Sequence, residues 1–306
     1  MIEITSCSSY SGLKEQLSQL NISSSFLSYE FHNALESSRS VGNKSGWIPF
    51  PIIAKSDQNI VGFMPIYLKE HSYGEYVFDW SWAEAFRKSG LNYYPKMISA
   101  VPFSPITGNR VIAKDLDIKK LMVKFLEKIL LDHNISSCHI LFPNQQDADL
   151  FKEMGWLQRE GIQFRWENKD YDSFEQFLSN LSHNKRKKIK QERKKISNLN
   201  IDITVKQSSL IRDEDIEFFY ACYCNTYMMH NSSPYLTKEF FFKLYKSMPN
   251  KIVLIVAEKS GKKIASALNI VSENSLYGRY WGALEYIPSL HFELCYYAGQ
   301  EFSVEK

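Results

Sequence analysis

The strongest constraint on the fold is the stretch Leu254–Glu301, LIVAEKSGKKIASALNIVSENSLYGRYWGALEYIPSLHFELCYYAGQE. Leu254–Glu258 is an apolar run. Lys259-Ser260-Gly261-Lys262 reads as a turn, because Gly261 takes positive φ without a steric penalty. Ile264–Val271 is a second apolar run, and Ser272–Ser275 a second turn. Leu276–Trp281 is a third strand, rich in aromatic residues that suit a half-buried pleated surface. Pro288 and Ser289 end the extended chain and open a helix, with Ser289 as the expected N-cap.

The pattern has an earlier counterpart in Ile52–Trp80, IIAKSDQNIVGFMPIYLKEHSYGEYVFDW. One offset relates Ile60 to Ile264, Tyr73-Gly74 to Tyr277-Gly278 and Tyr76 to Tyr280, without a gap. Identity is thin and hairpins of this length recur by chance, but the shared Tyr-Gly-x-Tyr spacing favours an internal duplication. The expectation is a strand, turn, strand, turn, aromatic strand unit in each half.

A chain of 306 residues is long for one core, so two domains are expected. The polar stretch Glu167–Asp172 places the boundary, giving 1–170 and 171–306. Around the two units, helical spacing is expected over Phe26–Ser37, Trp80–Ser89, Gln146–Met154, Ser173–Leu181, Glu214–Met229 and Thr237–Ser247. Asp117–His133 is amphipathic, with Leu121, Phe125, Ile129 and Leu130 on one face. Tyr94–Val101, Ser136–Pro143, Trp156–Trp166 and Asn200–Lys206 read as further strands. Helices alternating with strands imply an α/β or α+β architecture, each domain a mostly antiparallel sheet flanked by helices. The chain stops at Lys306 inside its last helix, so the second copy is expected to be truncated at its C-terminus.

Net charge is only +3, which gives no global argument for a nucleic-acid or membrane partner. Charge is nevertheless concentrated in Ser182–Lys195, where Lys185, Arg186, Lys187, Lys188, Lys190, Arg193, Lys194 and Lys195 face a single acid, Glu192. As a helix, this segment puts Arg186, Lys190, Arg193 and Lys194 on one face. Both a solvated helix face and a docking site for phosphates fit it. Five cysteines without a CxxC pair argue against a disulfide framework and for a reducing compartment. The N-terminus carries no signal-peptide pattern, and no apolar run approaches the ~20 residues of a membrane span. A cytoplasmic protein is expected.

Zinc spacing, a Walker loop, GxGxxG and GxSxG are all missing from the sequence, and no metal site is expected. Cys295, among aromatics in a helix, reads as packing. Two clusters remain. The first is His71, Tyr73, Glu75, Tyr76, Asp79, Trp80 and Trp82; the second is Arg279, Tyr280, Trp281, Glu285, His291 and Glu293. Each sets acids and aromatics at a strand end and the following loop, where substrates of α/β sheets usually sit. Taken singly, each residue fits a surface charge beside a core aromatic; together they suggest function.

HSYGEYVFDWSWAEAF (His71–Phe86), SHNKRKKIKQERKKI, SPYLTKEFF (Ser233–Phe241) and YGRYWGALEYIPSLHFELCYYAGQEF (Tyr277–Phe302) resemble the FemAB-like family of peptidoglycan biosynthesis/recognition proteins, within the GNAT acyltransferase superfamily. The resemblance spans nearly the whole chain and implies two GNAT-like domains in tandem. Ordinary GNAT enzymes carry an Arg/Gln-x-x-Gly-x-Gly/Ala loop for the acyl-CoA pyrophosphate. Here the corresponding Ala283–Ser289 segment has no glycine, and Fem-type relatives use aminoacyl-tRNA instead. The implied activity is acyl or aminoacyl transfer to an amine by direct attack in a ternary complex, with acyl-CoA or aminoacyl-tRNA as donor. On that basis Lys185, Arg186, Lys188 and the helix after Ser289 would hold the donor. Glu285, His291 or Glu293 would take the amine proton, and Arg279 or Tyr280 would polarise the acyl carbonyl. His71, Tyr73, Glu75, Asp79 and Trp80 would hold a cationic or sugar-bearing acceptor. The alternative is a non-catalytic pair that binds a cell-wall precursor or RNA.

Overall fold

The computed structural model describes residues 1–42 and 44–306. The chain divides into two compact units, Met1–Gly161 with Tyr235–Phe240, and Ile162–Pro234 with Phe241–Lys306. The division falls at Gly161/Ile162, ahead of the polar stretch that suggested a boundary.

The first unit runs β1 (Ile2–Ser6), α1 (Lys14–Leu17), α2 (Tyr29–Ser37), β2 (Trp47–Pro49), β3 (Ile52–Ser56), β4 (Asn59–Met64), β5 (Ile66–Lys69), α3 (Trp80–Lys88), β6 (Lys96–Ser99), β7 (Ile112–Ala113), α4 (Leu116–Asp132), β8 (Cys138–Ile140) and α5 (Gln145–Glu153). These strands build two four-stranded sheets, β1-β3-β4-β7 and β2-β5-β6-β8, antiparallel except for the β6–β8 pair. Proline explains why there are two. Pro65 separates β4 from β5, and Phe50-Pro51 separates β2 from β3. Proline has no N–H to give to a ladder, so each run can change sheet there. The ladder resumes on either side: Phe50 N donates to Ile66 O at 2.8 Å, and Cys7 N to Pro51 O at 2.8 Å.

Asp115 caps α4 by accepting from Ile118 N at 2.9 Å. The helix buries Ile118, Met122, Val123, Leu126 and Ile129 in a core with Ile52, Ala54 and Met64. Leu121 is exposed, so the buried stripe is rotated from the one expected. Two other expectations fail. Trp156–Trp166 forms no strand, and Leu157, Ile162 and Phe164 stand in solvent. Tyr73–Asp79 is a loop, whereas Tyr277, Gly278 and Tyr280 lie on a strand. The shared offset therefore matches the hairpins, with Ile60 on one and Ile264 on the other, but not the third strand.

The second unit runs α6 (Phe174–Ser179), α7 (His183–Asn198), β9 (Ile201–Gln207), α8 (Asp213–Met229), α9 (Lys238–Ser247, entering from residue 241), β10 (Ile252–Lys259), β11 (Lys262–Ser272) and β12 (Ser275–Ala283). Its sheet, β12-β11-β10-β9, is antiparallel throughout. α8 lies directly on β12: Thr226 Oγ1 donates to Trp281 O at 2.9 Å and Asn225 Nδ2 to Ala283 O at 2.6 Å. Gly282 permits this approach, since a Cβ there would stand 1.9 Å from the Cys222 carbonyl oxygen. The chain ends in a helix, Leu290–Phe292, a π-helical turn, Glu293–Tyr297, and a helix, Ala298–Val304. Ser289 precedes this helix with φ 73 and makes no side-chain capping bond. Leu290, Leu294 and Ala298 join Ile196 of α7 over Ile255, Ala257 and Ala267.

The observed class is mixed α/β, antiparallel sheets flanked by helices, as expected. Among the described residues no helix is long and apolar enough to cross a membrane.

Candidate functional site

In the first unit, β5 and β6 pair with Lys69 directly opposite Lys96. Both side chains are fully buried. Like charges facing each other across a sheet are destabilising, and buried ones far more so. The chain leaving β5 supplies the remedy, because its loop carries Glu75 and Asp79 back over the two lysines. Lys96 Nζ donates to Glu75 Oε2 at 2.7 Å, to Ser72 Oγ at 2.9 Å and, in a very short bond, to Asp79 Oδ2. Tyr93 OH donates to the same Asp79 oxygen at 2.6 Å. Lys69 has no carboxylate in hydrogen-bonding reach: Glu75 Oε1 is 4.0 Å away. It donates instead to Tyr73 O at 3.3 Å and lies 4.0 Å above the Trp47 ring.

The loop itself is tightly shaped. Gly74 has φ 80, and a Cβ there would stand 2.6 Å from the Phe103 ring, so only glycine suits the position. The Tyr73 carbonyl also accepts from Trp47 Nε1 at 3.1 Å. With the polar groups turned inward, the rings turn outward. Tyr73, Tyr76, Phe78, Trp80 and Trp82 are all exposed, Phe78 by 79%. Tyr73 and Trp80 lie 5.2 Å apart between ring centres.

Burial controls the titration of this cluster. It pulls Lys69 down to about 7, reinforced by Lys96 and opposed by Glu75 and Asp79. It raises Glu75 against the pull of Lys96. Burial also pushes Asp79 up, but hydrogen bonds from Lys96, Tyr93 and Ser72 outweigh it, and the net direction is down. Glu75 Oε1 and Asp79 Oδ1 are buried and find no hydrogen-bond donor among the described residues. Glu75, Asp79 and His139 each present a ligand atom within 4.8 Å of the others. The Lys96 ammonium already bridges both carboxylates, so the place of a cation there is taken by a side chain.

His71, Tyr73, Glu75, Asp79 and Trp80 are thus brought together, with the two acids forming a buried floor and the rings a rim. Sequence reasoning missed Lys69, Lys96, Tyr93 and His139. One signal was available: strand alternation puts Lys69 on the face of buried Tyr67, and Lys96 on that of buried Ile98.

The second cluster disperses. Glu285 pairs with Lys259 on the surface at 2.6 Å. Glu293 is buried against Arg193, whose Nε lies 3.1 and 3.3 Å from its two oxygens. Burial raises Glu293, and Arg193 opposes that rise. His291 packs 4.6 Å from the Trp281 ring, and burial lowers its pKa. Tyr280 is buried against Tyr223 and Phe241, with the Arg279 guanidinium 4.9 Å from its ring.

The basic run is a helix, as expected, and Lys185 and Lys188 are exposed on it. Arg186 is exposed too and donates to Ser179 O at 3.1 Å. A shallow groove follows the face formed by His183, Arg186, Lys187, Lys190 and Lys194. Arg193 does not share that face: it turns inward to Glu293 and to Glu301, 2.8 Å away. A helix-face argument cannot see a carboxylate supplied a hundred residues later.

Comparison with known proteins agrees with this architecture. FemX matches with a TM-score of 0.53 and 10% identity, over 99% of this chain and 85% of its own; at that identity the likeness is one of fold. A ribosomal-protein-alanine N-acetyltransferase from Brucella melitensis biovar Abortus 2308 matches 54% of this chain and 100% of its own at 12% identity, with a TM-score of only 0.34. Comparison with curated proteins gives no match. The family model described as FemAB-like, peptidoglycan biosynthesis/recognition, matches residues 13–306, and the chain therefore belongs to the FemAB-like family.

Proposed function

We propose that this protein transfers an acyl or aminoacyl group to an amine on a cell-wall precursor, and that the loop from His71 to Asp79 in the first unit, with Trp80 and Trp82 at the start of α3, recognises the acceptor. The observation that carries this reading is the pair of buried carboxylate oxygens, Glu75 Oε1 and Asp79 Oδ1, that find no donor among the described residues beneath a rim of exposed rings. Buried acceptors without donors are rare, and an ammonium or a sugar hydroxyl, admitted by a shift of the loop, supplies what they lack. Exposed Tyr and Trp rings suit the apolar face of a sugar or the stem of an amine side chain.

The donor is acyl-CoA or aminoacyl-tRNA, bound along the exposed face of α7 through Lys185, Arg186 and Lys188, with the segment after Ser289 as a second contact. Phosphate binding there follows from the concentration of positive charge. Of the proton acceptors expected from sequence, His291 is the better base. Glu293 is held by Arg193 and Glu285 by Lys259. Arg279 or Tyr280 remains the proposed polarising group for the acyl carbonyl.

The test is transfer by the purified chain from acetyl-CoA, and separately from charged tRNA, to a muramyl peptide with a free amine. The N-acetylated peptide is the control. Product that requires the free amine and falls at least tenfold in Glu75→Gln supports the reading. Consumption of neither donor, with the fold intact, refutes it. The dispersal of Glu285, His291 and Glu293 favours a second reading, a binding pair without turnover. That reading expects saturable binding of the peptide and no product.

A further inference from the structure

Beyond that reading, the first unit contains a nucleophile arrangement that shares Asp79 and Trp82 with the proposed acceptor site and adds Ser137 and His139 to them. Ser137 immediately precedes β8 and His139 lies on it, two residues on, and their side chains meet. Ser137 Oγ lies 3.3 Å from His139 Nε2, and His139 Nδ1 lies 4.0 Å from Asp79 Oδ2. Ser137 and His139 are part-exposed, while Asp79 is buried. The exposed Trp82 ring lies 6.2 Å from the imidazole, and the Arg159 guanidinium lies 5.8 Å from that ring.

We infer that Ser137 is an acylable nucleophile, with His139 as its base and Asp79 as the residue that positions the imidazole. Three groups in this order form the arrangement that activates a serine, whatever the fold around it. At 4.0 Å the contact between His139 Nδ1 and Asp79 Oδ2 is longer than a hydrogen bond, and Asp79 acts on the imidazole through its charge. Tyr93 OH, 3.3 Å from Nε2, is committed as a donor to Asp79, which leaves Nε2 free to accept from Ser137. The substrate class is a carboxylic ester or thioester whose acyl part carries an anionic group, for which Arg159 is the partner and the Trp82 ring the wall. Ser137 Oγ bonds to the acyl carbon while its proton passes to His139 Nε2. The C–O or C–S bond then breaks, and the departing alcohol or thiol takes that proton. Water or an amine next attacks the acyl-serine, gives its proton to His139, and releases the acyl product as the proton returns to Oγ.

The experiment needs neither donor nor acceptor, so its outcome is separable from that of the transfer assay. The whole chain is treated with diisopropyl fluorophosphate and the adduct is located by peptide mass spectrometry. The expected result is one adduct, on Ser137, absent in Ser137→Ala and slowed at least a hundredfold in His139→Gln. For Asp79 the readout is the 15N spectrum of histidine-labelled protein, which should show His139 with its proton on Nδ1, shifting towards Nε2 in Asp79→Asn. No adduct on Ser137, or an equal rate in His139→Gln, overturns the proposal. A wild-type His139 protonated on Nε2 overturns the role of Asp79.

Discussion

The two units each carry a network of charged side chains, and they arrange it in opposite ways. In the first, Lys69, Lys96, Glu75 and Asp79 are sealed from water, and two carboxylate oxygens find no donor among the described residues. In the second, Arg193 is 31% exposed, both Glu293 oxygens face it, and Glu301 beside it is 40% exposed. Tyr297 OH adds a very short bond to Glu192, one residue before Arg193. The second network fastens α7 to the C-terminal helical segment, with its acceptors satisfied. The first is over-supplied with acceptors for its protein donors. A network that only held the fold together would not need that surplus, which is why acceptor binding is proposed for the first unit.

The contrast can be broken by mutation. The largest effect should come from Lys96→Met, which leaves Glu75 and Asp79 as buried charges without their cation. A loss of about 3–5 kcal/mol is expected in urea melts; a change within the error of the melts would show the cluster to be hydrated. Arg193→Met should destabilise less, about 1–2 kcal/mol, because water can reach the glutamates it leaves behind. If Arg193→Met proved the worse of the two, the assignment of sealed and fastening networks would be reversed.

The pH dependence sharpens the same comparison. Lys69 titrates near 7 in the folded chain, below its unfolded value of 10.5. Between those values the unfolded chain binds more protons, so this group adds stability as pH rises from about 7. Below about 7 both states are protonated and its full unfavourable contribution is present. Relative to Lys69→Met, the wild type should gain up to about 1.4 kcal/mol per pH unit between pH 7 and 9.5. Parallel curves for the two proteins would show that Lys69 stays protonated. The smallest effect belongs to the surface: Glu285→Gln, which removes the exposed pair with Lys259, should change stability by less than about 0.5 kcal/mol. A larger change there would point to a role for Glu285 beyond that pair.

Periodicity alone located the two hairpins around Ile60 and Ile264, the amphipathic helix α4 and the basic helix α7. These are local properties, set by side-chain spacing of two or of three to four residues and by glycine turns. The buried face of α4 was read one step off because Leu121 and Met122 are equally apolar, and only the packed sheet chooses between them. Trp156–Trp166 has the composition of a strand, but a strand exists only through its partner, and residue spacing does not report partners. The same limit applied to Tyr73–Asp79, whose aromatic pattern matches a strand in the second unit and a loop in the first.

What the sequence determined by itself was the class of fold, the elements with strong period, the basic run and the two groups of acids and aromatics. Only the tertiary structure decided which group comes together in space. The register of β5 on β6 sets Lys69 against Lys96, and the loop that follows must return two carboxylates to them. Residues far apart in sequence, such as Asp79 and His139 or Arg193 and Glu293, meet through strand pairing and helix packing. The energy that drives those contacts is desolvation, which depends on what surrounds a charge in space and not on what adjoins it in the chain.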